Sequence, residues 1–136
     1  MNPKTSNTHF YSENQLSEII ITQAMSIHTV LGPGLLESAY EKVLVFTLRT
    51  KGLYIETQKL IPLIYQNQVI GEAYRADIVV ERKVLIELKS VKELEPIHLK
   101  QTLTYIRLSG LKLGLVINFN TLSLKNGIKR VVNNLN

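Results

Sequence analysis

The chain has no cysteine, which excludes disulfides and thiolate-bound zinc outright. Its three histidines, His9, His28 and His98, lack any metal-binding spacing such as His-x-x-x-His. Any metal held here would therefore be oxygen-ligated, which favours magnesium, manganese or calcium over zinc. No apolar run approaches bilayer-spanning length, and the polar stretch from Met1 to Asn14 has no signal-peptide core. The expected compartment is the cytoplasm, with no membrane partner. With 136 residues, 45% of them hydrophobic, the sequence suits one domain with a real core (1–136), residues 1–11 forming a flexible arm.

The net charge of +5 is unevenly placed. Residues 1–68 carry five basic and five acidic side chains, and residues 69–136 carry eleven basic and six acidic. A basic surface favours approach to a polyanion, and it also suits plain solubility.

Ser12-Glu-Asn-Gln15 has the form of a capping box. Leu16, Ile19, Ile20, Ile27, Val30 and Leu31 follow at helical spacing, until Gly32-Pro33-Gly34 stops the helix. A second helix is expected from Leu35 to Thr50, with Gly52 as its exit. Three strands follow, Tyr54 to Tyr65, Val69 to Val80 and Val84 to Ser90, in an antiparallel meander with short polar turns. Pro62 marks the first as an edge or a broken strand, and Gly71 suggests a bulge. Pro96 opens a third helix running to Leu108, and Leu111 to Phe119 is apolar enough for a strand buried on both faces, parallel to the third. Leu124, Ile128, Val131 and Leu135 are spaced as in a final amphipathic helix. The expected order is α-α-β-β-β-α-β-α, an α/β (α+β) arrangement with a mixed four-stranded sheet flanked by helices.

Chemistry concentrates on the second and third strands. A turn centred on Arg82 puts Asp77 opposite Glu87, each five residues from it. Strand alternation puts Glu87 and Lys89 on one side. Two carboxylates and an ammonium in one patch can hold a hard divalent cation beside a phosphodiester. A Glu-x-Lys triplet alone arises by chance in about every second protein of this length. The apolar setting, Val84-Leu-Ile-Glu-Leu-Lys, adds weight, because charge on an inner strand needs a partner or a ligand. A structural Glu87–Lys89 ion pair on a solvated face fits the same residues, and both readings stay open. Glu37 and Tyr40 share a face early in the second helix; His98, Gln101 and Tyr105 share one on the third.

Gly34-x-x-Glu37-x-x-Tyr40 matches the signature of the GxxExxY proteins, a small prokaryotic family. The stretches Tyr74-Arg-Ala-Asp77, Glu87-Leu-Lys89, Gln101-Thr-Leu-Thr-Tyr105 and Leu113-Gly-Leu-Val-Ile-Asn-Phe119 also resemble it, so the likeness covers about residues 13–133. That family is placed among PD-(D/E)XK nuclease-like proteins, and the resemblance implies a restriction-endonuclease-like core. It further implies roles. Asp77, Glu87, the Leu88 carbonyl and Glu37 would ligate Mg2+ (or Mn2+), and Lys89 would orient or help deprotonate the attacking water. Gln101 and Tyr105 would contact phosphate or brace Lys89. Ala76 stands where the superfamily's name has proline. His28 and Tyr40 are expected to serve helix packing. The implied activity is metal-dependent hydrolysis of nucleic acid, DNA before RNA, with a homodimer or a partner protein selecting the target. A non-catalytic nucleic-acid- or protein-binding module on the same fold is the alternative.

Overall fold

The computed structural model describes residues 10–135, so most of the expected arm, residues 1–9, lies outside the described residues. Tyr11, also assigned to that arm, instead packs against the core, and its carbonyl accepts a hydrogen bond from Lys83 Nζ at 2.5 Å.

Helix α1 (Glu13–Leu31) begins as its capping box dictates. The Gln15 N–H donates to Ser12 Oγ at 3.1 Å, and the Ser12 N–H donates to Gln15 Oε1 at 2.9 Å. Helix α2 (Glu37–Thr50) follows after Gly34 (φ 108°), a backbone conformation that favours glycine. Two buried side chains serve packing, as their helical setting suggests. The Tyr40 ring stacks on Phe119 at 4.3 Å, and its hydroxyl donates to the Gly32 carbonyl and accepts from the Leu35 N–H. His28 Nε2 lies 2.7 Å from the Thr121 carbonyl, joining α1 to the exit of a core strand.

Strands β1 (Ile55–Tyr65), β2 (Gln68–Val80) and β3 (Val84–Lys89) form the antiparallel meander. Both hairpin turns place two non-glycine residues in the left-handed region: Gln66-Asn67 in the two-residue β1–β2 turn, as right-handed strand twist requires, and Glu81-Arg82 in the three-residue β2–β3 turn that ends at Lys83. β1 is the sheet edge, and its register shifts at Ile61/Pro62, where the missing proline N–H breaks the ladder. A second shift leaves Ile70 unpaired beside Gly71.

Helix α3 (Pro96–Ser109) then crosses to β4 (Leu113–Asn118), which pairs parallel with β3 and is buried along its whole length. Helices α1 and α2 pack on one face of the sheet, with Ile86, Leu88 and Leu115. Helix α3 packs on the other, through Ile106 against Leu85. The fit of α3 on β4 is tight: a Cβ on Gly114 would lie 2.7 Å from Thr102 Cγ2 and 3.2 Å from Ile106 Cγ2. Gly114→Ala should therefore cost about 1–3 kcal/mol of stability through overpacking. A thermal melt within a degree of wild type would show that α3 has slack there.

The chain ends differently from its spacing. In place of a final helix there is a single 3-10 turn (Leu124–Gly127) and a fifth strand, β5 (Ile128–Val132), antiparallel to β4. The sheet thus has five strands, in the order β1-β2-β3-β4-β5, where four were expected. Ile128 and Val131 are three residues apart, which puts them on one side of a helix but on opposite sides of a strand. The core has a layer on each face of the sheet, and it takes the second arrangement: Ile128 packs with the α1/α2 layer and Val131 with the α3 layer. β-branched side chains and an open β4 edge complete the preference.

Candidate functional site

The site lies where β2 and β3 part. Their ladder pairs Val80 with Val84, Val79 with Leu85 and Ile78 with Ile86. The next rung would join Asp77 to Glu87, and side chains take the place of the backbone there. The Asp77 N–H donates to Glu87 Oε2 at 3.2 Å, and the Leu88 N–H donates to Asp77 Oδ2 at 2.8 Å. The expected juxtaposition of the two acids is present, and each carboxylate caps a strand that has lost its partner. Since the Lys89 carbonyl accepts from the Phe119 N–H across β4, alternation turns the Leu88 carbonyl toward β2, the side on which Asp77 lies.

Glu87 is 2% exposed. Tyr74, on β2, donates its hydroxyl to Glu87 Oε1, and the Tyr74 ring lies flat on Tyr105 of α3, centroids 3.6 Å apart. Tyr105 therefore reaches the site by covering Tyr74. Burial pushes the Glu87 carboxyl up to about 7; the charges of Glu37 and Glu41 add to the rise, while the Asp77 N–H and Lys89 oppose it. Burial also raises Asp77, against the Leu88 N–H, Gln58 and Lys89. Burial and the charge of Glu87 raise the Tyr105 phenol.

Lys89 acts on both acids through its field, and among the described residues it makes no ion pair with them within 4.0 Å. The structural Glu87–Lys89 bridge is thus not formed. Glu37 is exposed in the first turn of α2, and its charge is felt at Glu87. Gln101 is exposed one turn before Tyr105 and makes no hydrogen bond to the acids among the described residues. His98, on the same stripe, is spent on the cap of α3, where its Nδ1 accepts from the Glu95 N–H at 2.9 Å.

Three site residues are additional to those the motifs suggest. Glu41 lies one turn beyond Glu37, a visible i,i+4 spacing. Gln58 Nε2 donates to both Glu41 oxygens, at 3.0 and 3.2 Å, and reaches Asp77 Oδ1 at 3.4 Å. Burial raises the Glu41 pKa; Gln58 counters this, and the charges of Asp77 and Glu37 add to it. Gln58 has no local signal; Tyr74 opens the stretch Tyr74-Arg-Ala-Asp77, but its bond to Glu87 arises only through pairing across the sheet.

Residues 14–131 match the PD-(D/E)XK nuclease superfamily. This chain belongs to that superfamily. Among curated proteins no match is found. A solved structure described as "Crystal structure of SSO0001" is similar at a TM-score of 0.43 and 16% identity, covering 99% of this chain and 75% of that one. The five-stranded mixed sheet flanked by helices is consistent with the restriction-endonuclease-like fold of this PD-(D/E)XK protein. Nucleases of the superfamily typically use divalent metals. The residues present fit a hard cation in their chemistry: oxygen donors only, from the exposed Glu37 through the half-buried Asp77 to the buried Glu87, with negative charge that no ammonium among the described residues neutralises within 4.0 Å. As they stand, no three of them converge into a cage among the described residues.

Proposed function

We propose that this chain is a divalent-metal-dependent phosphodiesterase acting on DNA. The observation that carries the proposal is the Asp77–Glu87 pair on parted strands beside Lys89, in a chain of the PD-(D/E)XK superfamily. Asp77, Glu87, the Leu88 carbonyl and Glu37 would hold Mg2+ or Mn2+. When bound, such a cation polarises the phosphate and lowers the pKa of water. Lys89 orients the water and offsets charge on the phosphorus oxygens. Tyr105 and Tyr74 shut Glu87 away from solvent, and Gln101 lies on the same helical stripe, free to meet the phosphate backbone. The basic excess of residues 69–136 favours the approach of a polyanion.

Calorimetric titration with magnesium and manganese, paired with cleavage of duplex DNA, single-stranded DNA and RNA, tests the proposal. Metal uptake and chelator-sensitive DNA cleavage are expected. A folded protein that binds DNA but takes up neither ion would instead establish the binding module. Preferential cleavage of RNA would move the substrate. Among the described residues no helix is long and apolar enough to cross a membrane.

Target selection by a homodimer has a place on the fold. Beyond Ile61 and Tyr74 the β1–β2 hairpin runs past β3, exposing Leu63, Ile64, Tyr65, Val69 and Ile70. From Pro62 to Ala73 it holds no Lys or Arg, so it offers nothing to DNA, while Lys59 and Pro62 guard its edge against strand addition. A second copy fits this face, whose one charged residue from Pro62 to Ala73 is Glu72, since two chains of charge +5 meet best away from their basic residues. Sedimentation should show a dimer that Ile64→Glu dissociates. A monomeric wild type would remove this contact.

A further inference from the structure

We propose that Gln58 is a latch on the metal site and that Glu41 is a cation ligand from α2 alongside Glu37. The proposal rests on the metal-dependent reading above. One amide nitrogen engages three carboxylate oxygens of two acids: Glu41 Oε1 at 3.0 Å, Glu41 Oε2 at 3.2 Å and Asp77 Oδ1 at 3.4 Å. The acids belong to different elements, α2 and β2, and repel each other. Nothing in α2 or β2 alone would hold them together; the amide bridges them as a weak, neutral counterpart of a cation.

The backbone at Gln58 is built for this. β1 pairs Thr57 with Ile78 and Lys59 with Ala76, skipping the rung between, and Gln58 has φ 49°. A non-glycine residue in the left-handed region inside a strand costs about 1–3 kcal/mol and persists only where its surroundings hold it. Here the deviation coincides with the side chain's bonds to α2. A cation shared by Asp77 and Glu41 would sit where the amide nitrogen now lies between their oxygens, so Gln58 gives way as the ion arrives. The latch therefore lowers cation affinity while keeping both acids in place without the ion.

Manganese titrations into the metal-free full-length chain test this without any assay of cleavage. Gln58→Gly suits the positive φ and removes the amide; it should bind manganese about three- to tenfold more tightly, the value of one hydrogen bond. Glu41→Gln should bind about tenfold or more weakly, and the double variant should bind no more tightly than Glu41→Gln alone. Circular dichroism confirms that each variant is folded. Uptake by wild type with unchanged or weaker binding in Gln58→Gly, or unchanged binding in Glu41→Gln, overturns the latch and leaves the metal site standing. No uptake by wild type overturns both.

Discussion

Lys89→Ala should abolish metal-stimulated DNA cleavage, a fall on the order of 10²–10³-fold or more, while leaving manganese uptake intact or slightly tighter. The split follows from where the charge of Lys89 acts. Its positive field lowers the pKa of both Asp77 and Glu87, so removing it leaves the acids more attractive to a cation. What is lost is the charge that orients water and offsets the transition state. Asp77→Asn should fail in the opposite way, losing uptake and cleavage together. Asparagine is the better probe than alanine, because Asp77 Oδ2 accepts the Leu88 N–H at 2.8 Å and an amide oxygen can keep that bond. Asp77→Ala would also orphan a buried donor, at about 1–3 kcal/mol. Undiminished cleavage by purified Lys89→Ala or Asp77→Asn protein would sink the catalytic assignment.

The second large effect is on stability. In chelator, the metal-free protein should lose stability as pH rises from 4.5 to about 7, the interval between the ordinary and the folded value of Glu87. Because the folded value is the higher, the native state binds the proton more tightly. The advantage is complete below pH 4.5, shrinks as pH rises and is gone above 7. At about 1.4 kcal/mol per pH unit the swing approaches about 3 kcal/mol. Asp77 and Glu41, raised in the same direction by burial, add to it. Urea midpoints of wild type and Glu87→Gln at pH 4.5 and 8 isolate the residue. Glutamine keeps an acceptor for the Asp77 N–H and a donor for Tyr74, so the variant should gain on wild type at pH 8. If the two midpoints move in parallel, Glu87 is not the source. Magnesium at pH 8 should then stabilise wild type more than Glu87→Gln, since the ion neutralises the charge that burial penalises.

Local signals carried most of the architecture. The Ser12–Gln15 capping box, the Gly32-Pro33-Gly34 stop and Pro96 at the start of α3 act within one helical turn, so neighbours in sequence are sufficient to decide them. The register of β2 against β3 is equally local, because the three-residue turn Glu81-Arg82-Lys83, centred on Arg82, pairs Val80 with Val84, and that pairing brings Asp77 to Glu87. The apolar run Leu113–Asn118 likewise predicts its own burial.

Other elements depend on partners remote in the chain. The segment Ile128–Val132 carries a spacing that both a helix and a strand could use; it became a strand because β4 had a free edge and the sheet had an apolar layer on each side. Tyr74 could not be assigned to Glu87 from its position, since in strict register it lies beyond the ladder that joins β2 to β3, and only the parting of the strands lets its hydroxyl reach. The bond of Gln58 to Glu41 spans β1 and α2 and requires a backbone conformation that no residue nearby announces. Which residues could carry charge chemistry was thus set by composition, alternation and turns, which are short-range. Which of those residues meet, Asp77 with Glu87 and with Gln58 and Glu41, was settled by how α2, α3 and the sheet close around one end of β3, because burial and Coulomb energy depend on distance in space and not along the chain.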